Sequence, residues 1–503
     1  MIEISAAQIA ELTQGTLSFG TDPAMLVDVA KIATDSRDVT PGSMYVAKAG
    51  ENTDGHGFIA AAFEAGAVLA LAERTPPADD AGGVFPAVVV TDAVLAMGTL
   101  AAEVVRRIRA HSPLSVIGIT GSAGKTTTKD LLSGILATEG PTVAPVGSYN
   151  GEVGVPMTVF RAVEGTRYLI IEMGATKMGQ ISYLSKIVNP DLGVVLCVGS
   201  AHAGEFGSIE NIAVAKGELV AALTPRGRAV LNYDDGRVRT MAARSGAPVT
   251  FFSSADAPET DVPGGAEFLQ ARNVHTDADG QPVFDLAFPD RIETLKVRSK
   301  LLGLHHVTNL LAAASAAHVL GVSPERIAFS LSEQRAVSRY RMERTDRSDG
   351  VSIVNDAYNA NPESMRAALR TLAELGGSGA RRTWAVLGEM LELGESSVLD
   401  HDAVGRVAVR LNISRLIVVG AGARAMHVGA VMEGSWGNES MFVPDAEAAY
   451  ALLSAELAPG DIVLVKSSNG AGLRFLGDRI ALPTGNNPAN TSDPTPGERT
   501  SKP

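Results

Sequence analysis

The stretch SVIGITGSAGKTTTKDLL, residues 115–132, constrains this chain more than any other. An apolar run from Ser115 to Ile119 has strand character, breaks at Gly121 and Gly124, and continues through Lys125, Thr126, Thr127 and Thr128 into a segment of helical character. Glycines let the backbone curl until successive N–H groups point inward at one anion. A helix beginning there adds its positive N-terminal end, a lysine adds a point charge, and a threonine offers a hydroxyl to magnesium. The spacing therefore predicts a nucleotide-triphosphate cradle between a strand and a helix. Ile119 stands where the usual spacing has a glycine, so the loop is a TGSxGKTT variant.

Length and composition set the surroundings of that loop. At 503 residues the chain has room for about three domains of ~150 residues each. A hydrophobic content of 45% with 20% charged residues is that of a globular protein. The formal charge of −13, with no Lys/Arg-rich run, argues against a nucleic-acid-binding surface. The single cysteine, Cys197 in LGVVLCVG, allows no intrachain disulfide and reads as a buried strand residue rather than a reactive thiol. MIEISAAQIAEL lacks a basic segment followed by an apolar one, and no apolar run is long enough to span a bilayer. The expectation is a cytoplasmic, multidomain α/β protein without membrane insertion.

Residues 1–112 open with a short amphipathic helix ending near Gly15, followed by β-rich runs alternating with turns and an Ala-rich helix from Ile59 to Ala65. Asp35-Ser36-Arg37 and Asp54-Gly55-His56 read as polar turns, because Asp, Ser and Gly bend the chain for local reasons. His111-Ser112-Pro113 marks a boundary, and residues 113–335 form the unit opened by the phosphate loop. Its strand-like runs YLIIEMG (168–174), DLGVVLCVG (191–199) and GRAVLN (227–232) alternate with helix-length segments, which predicts a mostly parallel sheet covered on both faces. From about Ser253 to Lys300 the pattern loosens into hairpin-like polar runs, expected to be an insertion, and GLHHVTNLLAAASAAHVLG (303–321) is a helix capped at Gly321. Residues 336–482 form a third, Rossmann-like α/β unit with strands at 351–358, 382–390, 415–422, 440–443 and 461–468. GAGARA (420–425) superficially fits a dinucleotide fingerprint, but a lone Gly-x-Gly-x-x-Ala is weak beside the triphosphate loop. Residues 483–503 carry almost no apolar side chains and are expected to be disordered.

Three residues outside the loop carry candidate chemistry. Glu172 ends an apolar strand, where open α/β sheets place their ligands, so it is positioned to reach magnesium beside Thr126 or else to pair with a neighbour. His202 follows the next such strand as a second metal ligand or an ordinary loop histidine. Lys216, on a helix, reads on general grounds as a solvated lysine.

TGSAGKTTTKD, EMGA, the GSAH…GEFGS…AKGE series, GLHHVTN and NDAYNANPESM together resemble the Mur ligases of peptidoglycan synthesis, from residue 1 to about 482. DAYNANPESM (356–365) is the most discriminating of these motifs, because the ligase adding the third amino acid reads differently there. The resemblance implies an N-terminal domain that holds a UDP-sugar, with Ser36 on the substrate instead of in a bland turn. It implies that Gly121, Ser122, Ala123, Gly124, Lys125, Thr126 and Thr127 hold the ATP phosphates. Magnesium would fall to Thr126, Glu172, His202 and Lys216, the last carbamylated into a carboxylate-like ligand. Asn309 would lie near the adenine, and Arg341 would reach nucleotide phosphate from the third domain. Asp356, Tyr358, Asn359 and Asn361 would complete the nucleotide and amino-substrate cleft, with Asn150 on the substrate side. Three positions depart from the family pattern. His306 replaces a common asparagine, Gln180 replaces an acid, and KSSNGAG lacks the expected Lys-Gly-Ser, so Lys466 is given no role.

The implied reaction is ATP-dependent amide formation through an acyl phosphate, with catalysis by Lys125, Glu172, His202 and Lys216. Its substrates would be UDP-N-acetylmuramoyl-tripeptide and D-alanyl-D-alanine, and the enzyme a monomer. The alternatives are a related ligase adding the third amino acid, a folylpolyglutamate synthase-like ligase, or a regulatory protein that uses ATP hydrolysis as a switch.

Overall fold

The computed structural model of the chain describes residues 2–50, 53–76, 84–200, 203–255, 266–377, 379–434, 437 and 439–482. His202 and the tail from 483 to 503 lie outside the described residues. Three main sheets follow one another along the chain. The first has five strands in the order Thr16–Leu17, Ala87–Val89, Ala67–Ala72, Ser43–Ala47 and Ile32–Ala33, parallel except for the first pair. Its opening helix, Ala6–Thr13, is held by a reciprocal capping box between Ser5 and Gln8 and ends on Gln14 in the left-handed region.

Helix Ala93–His111 connects the first sheet to the second. Asp92 caps it by accepting hydrogen bonds from the Val94 and Leu95 amides, and its apolar stripe enters one continuous core with both neighbours. The second sheet has nine strands, in the order Leu295–Arg298, Pro282–Ala287, Glu267–Thr276, Val249–Ser253, Arg228–Asn232, Leu192–Val195, Ser115–Thr120, Tyr168–Glu172 and Thr142–Val143. Strands buried on both faces read as continuous apolar runs, and this is why the central ones were visible in the sequence. From Ser115–Thr120 the chain builds first toward one edge and then toward the other. The carboxyl end of that strand is therefore a topological switch point, where such sheets bind ligands.

The expected insertion at 253–300 is instead an extension of this sheet. Glu267–Thr276 pairs in parallel with Val249–Ser253, and two antiparallel strands complete the edge. One face of these strands packs under helices His306–Val319 and Pro324–Glu333 and the other is partly solvated, so they look more polar in sequence than the central strands. Cys197 is also displaced from expectation. Its strand ends at Val195, and the half-buried thiol donates to the Ala123 carbonyl at 3.7 Å, while burial pushes its pKa up.

The third sheet has six strands, in the order Glu343–Asp346, Ser352–Asn355, Ile462–Lys466, Thr383–Leu387, Arg415–Val419 and Ser440–Val443. Only the first pair is antiparallel. Apolar cores fill both of its faces. Within GAGARA, a Cβ at Gly422 would collide with the Glu389 carboxylate, so close side-chain packing accounts for that glycine.

Candidate active site

The phosphate loop joins strand Ser115–Thr120 to helix Lys125–Leu136. Gly124 takes φ +83°, and a Cβ there would stand 2.1 Å from Asn309 Oδ1, so the position needs glycine for conformation and for space. The loop is laced to the turn after the neighbouring strand. Ser122 N donates to the Cys197 carbonyl at 3.0 Å, and Gly199 N donates to Ser122 Oγ at 2.9 Å. Lys125 is half-buried, and its ammonium folds back to donate to the Gly121 carbonyl at 2.7 Å. Burial lowers its pKa, and the nearby Glu172 carboxylate opposes that shift.

Glu172 is the last residue of strand Tyr168–Glu172 and is fully buried. A carboxylate there requires donors, and three converge on it. Thr126 Oγ1 donates to Oε2 at 3.0 Å, while Ser148 Oγ and Asn150 Nδ2 donate to Oε1 at 2.8 and 2.9 Å. From the third domain, Arg341 Nη2 reaches Thr126 Oγ1 at 3.4 Å, with its guanidinium 4.3 Å from the centre of the Tyr358 ring. The structure thus gathers Gly121–Thr127, Glu172, Asn150, Arg341 and Tyr358 around the helix N-terminus.

The donor set fits magnesium. A hydroxyl and a carboxylate are hard oxygen ligands, and no group of three or more His, Cys, Asp or Glu clusters among the described residues. That matches a cation which keeps waters and binds through one or two carboxylates plus substrate phosphates. Lys216, on helix Ile209–Ala221, is buried rather than solvated, and no carboxylate pairs with it among the described residues. Desolvation, and next the charge of Lys125, lowers its amine to about 7.

Asn309 is buried on helix His306–Val319, where its Nδ2 donates to His306 Nδ1 at 3.2 Å and its Oδ1 lies 3.5 Å from Thr128 Oγ1. Burial holds the His306 imidazole well below its ordinary pKa, so the neutral ring accepts that bond. His306 also lines a cleft beside the loop with Thr127, Leu301, Val337 and Arg341.

Comparison with known proteins places the whole chain in a family. The Mur ligase family catalytic domain matches residues 28–118, the Mur ligase middle domain 119–317, and the Mur ligase glutamate ligase domain 340–469. The chain belongs to the Mur ligase family. The UDP-N-acetylmuramoyl-tripeptide–D-alanyl-D-alanine ligase of Mycobacterium bovis is 44% identical over 95% of this chain and 98% of its own length. The Escherichia coli ligase of the same name is 32% identical over 85% of this chain and 88% of its own. Among solved structures, MurF from Acinetobacter baumannii superposes with a TM-score of 0.82 at 30% identity, over 96% of this chain and 99% of its own. MurF from Thermotoga maritima in complex with ADP gives 0.75 at 27% identity, over 90% and 98%.

Two departures from the Mur ligase pattern have local explanations. Besides the His306–Asn309 bond, Gln180 Oε1 accepts hydrogen bonds from the Thr176 and Lys177 amides at 2.8 and 3.1 Å, so a neutral amide closes that turn without an acid. Lys466, given no role from sequence, is buried on the carboxyl end of its strand. Its Nζ lies 2.6 Å from Asp356 Oδ2 and donates to the Asn359 carbonyl at 2.9 Å. In sequence, a lysine ending the unbroken apolar run of DIVLVK marks the position but not its partners. Asn361 caps helix Pro362–Gly376 reciprocally with Ser364, and Asn359 Oδ1 accepts from the Ala360 amide, so both shape the turn after Asp356. Ser36 stands apart from this cluster, in the short 3₁₀ turn Ser36–Asp38 of the first domain. In the other turn, His56 is buried against Asp54 and accepts the Glu73 amide at 2.9 Å through Nε2, a structural arrangement.

Proposed function

We propose that this Mur ligase joins D-alanyl-D-alanine to UDP-N-acetylmuramoyl-tripeptide, using ATP, in the synthesis of peptidoglycan precursor. The observation that carries this reading is the chain-long match to ligases of that name, at up to 44% identity. The site supports it, because the loop, the buried acid and Arg341 meet where a triphosphate and a second anion must be brought together. We assign residues 1–112, with Ser36, to the UDP-sugar, 113–335 to ATP, and 336–482 to a C-terminal ligase domain. No helix among the described residues is long and apolar enough to cross a membrane, in keeping with a cytoplasmic enzyme.

In this reading an oxygen of the tripeptide carboxylate attacks the γ-phosphorus, and the bond to ADP breaks. The dipeptide amine then attacks the carbonyl carbon of the acyl phosphate, and phosphate leaves as the amide forms and the amine loses a proton. The backbone of 121–127 and Lys125 hold the phosphates and offset the charge that crowds as two anions meet. Thr126 and Glu172 would hold magnesium, with His202 and a carbamylated Lys216 holding a second ion; bound there, the metal supplies Lewis-acid charge neutralisation. Ser148 and Asn150 orient Glu172, Arg341 approaches from the third domain, and Asn309 flanks the nucleotide. Asp356, on the nucleotide, and Tyr358, Asn359 and Asn361, on the substrate, complete the nucleotide and amino-substrate cleft.

Phosphate release with purified protein tests the assignment. Release should require ATP, UDP-N-acetylmuramoyl-tripeptide and D-alanyl-D-alanine together, with one phosphate formed per dipeptide consumed. Equal release without the dipeptide would mark a hydrolase, and preference for a free amino acid would mark a different ligase.

A further inference from the structure

One turn beyond Lys125, the same helix carries a second lysine whose ammonium is buried. Lys129 is 2% exposed. Its Nζ lies 2.6 Å from Asp130 Oδ1 and donates to the carbonyls of Pro145 and Gly147 at 3.0 and 3.3 Å. An ammonium has three donors, and these three acceptors use them all. Lys129 therefore has no donor left for a phosphate, unlike Lys125, and its charge is committed to the protein itself.

What it holds is informative. The segment 144–150 crosses beside the loop as a strap without regular secondary structure, and Val146 and Tyr149 point their apolar side chains outward at 64% and 54% exposure. Ala144 packs against the core and Pro145 is buried, so side-chain packing anchors the start of the strap and not the part that reaches Glu172. Its inward groups are Ser148 Oγ and Asn150 Nδ2, the two donors on Glu172 Oε1, which leave Oε2 to Thr126. Asp130, the partner of Lys129, accepts a hydrogen bond from Ser338 Oγ at 2.6 Å through its other oxygen. Ser338 begins the linker that places Arg341 on Thr126 three residues later. One buried ion pair thus touches both arms that converge on the acid site.

We propose that Lys129 is a positioning residue: with Asp130 it fixes the 144–150 strap, and hence the orientation of Glu172, while registering the linker that carries Arg341. The inference rests on the magnesium role given to Thr126 and Glu172. Groups that orient a metal ligand typically change metal affinity or activity by 10–100-fold when removed. In Lys129→Met, which keeps the side chain's length and removes the ammonium, the magnesium concentration for half-maximal rate should rise about tenfold, with kcat lowered about 10–100-fold. The KM for D-alanyl-D-alanine should stay near wild type.

Calorimetric titration of ADP with and without magnesium gives a readout independent of turnover. The tightening of ADP binding by magnesium should be largely lost in Lys129→Met. Ser148→Ala leaves the buried lysine in place and should reproduce the magnesium shift through the strap alone. The double variant should shift it by less than the sum of the two, since both changes act through one contact chain. If Lys129→Met fails to fold, Ser148→Ala decides the strap arm, and Ser338→Ala, expected to raise the KM for ATP, decides the linker arm. Magnesium dependence unchanged in Ser148→Ala and in any folded Lys129→Met would overturn the proposal. A wild-type enzyme indifferent to magnesium would instead refute the metal assignment on which it rests.

Discussion

Lys125→Ala is expected to lower the rate of amide formation roughly 10³-fold, the scale on which single preorganised charges act at developing anions. Among the described residues the ammonium donates only to the Gly121 carbonyl, and no salt bridge involves it. Burial already lowers its pKa, so losing the side chain removes a partly desolvated charge that would be stabilised by phosphate oxygens. Because the helix behind it is anchored by Leu131, Leu132, Ile135 and Leu136 in the core, the thermal midpoint should change little. Single-turnover phosphate release and a melting curve on the same preparation separate the two effects. A folded variant with near-wild-type turnover would remove the triphosphate assignment.

Lys216→Ala is the second large effect. An ammonium at a magnesium site repels the metal, whereas a carbamate, formed when the neutral amine attacks carbon dioxide and loses a proton, presents two anionic oxygens. Desolvation, reinforced by Lys125, holds this amine at about 7, so a substantial neutral fraction exists near neutral pH and falls as the solution becomes acidic. The variant should be nearly inactive, by about 10²-fold or more on the scale of a lost ligand. Millimolar short-chain carboxylates should restore part of the rate by occupying the vacated position. Depleting bicarbonate at mildly acidic pH should lower wild-type activity and leave the variant unaffected. A Lys216→Ala enzyme that keeps most of its activity would refute the carbamate.

The parts of this molecule that were legible in sequence are those where backbone physics and composition agree. The phosphate loop was readable because Gly124 has to adopt a positive φ beside Asn309, and the central parallel strands because burial on both faces leaves an unbroken apolar run. Glu172 stood out as an acid ending such a run. Two other strands were misread or missed for the opposite reason. Glu267–Thr276 is solvated along part of one face, and Glu343–Asp346 is a four-residue polar edge, so neither has a distinct period. Lys216 misled general expectation, because lysines are rarely buried and only the family motif marked this one. Ser148, Lys129 and Lys466 were invisible as site-building residues. Asp130 adjoins Lys129, but the groups through which these residues build the site, the Pro145 carbonyl, Glu172 and Asp356, lie from 16 to 110 positions away, a separation that no local pattern encodes.

The proposed reaction requires the tripeptide carboxylate to be phosphorylated before the amine attacks, and isotope transfer tests that step directly. With UDP-N-acetylmuramoyl-tripeptide carrying ¹⁸O in the carboxylate that forms the amide, turnover with ATP and D-alanyl-D-alanine should yield inorganic phosphate bearing one ¹⁸O per amide formed. Phosphate released without the label, while labelled amide accumulates, would contradict it.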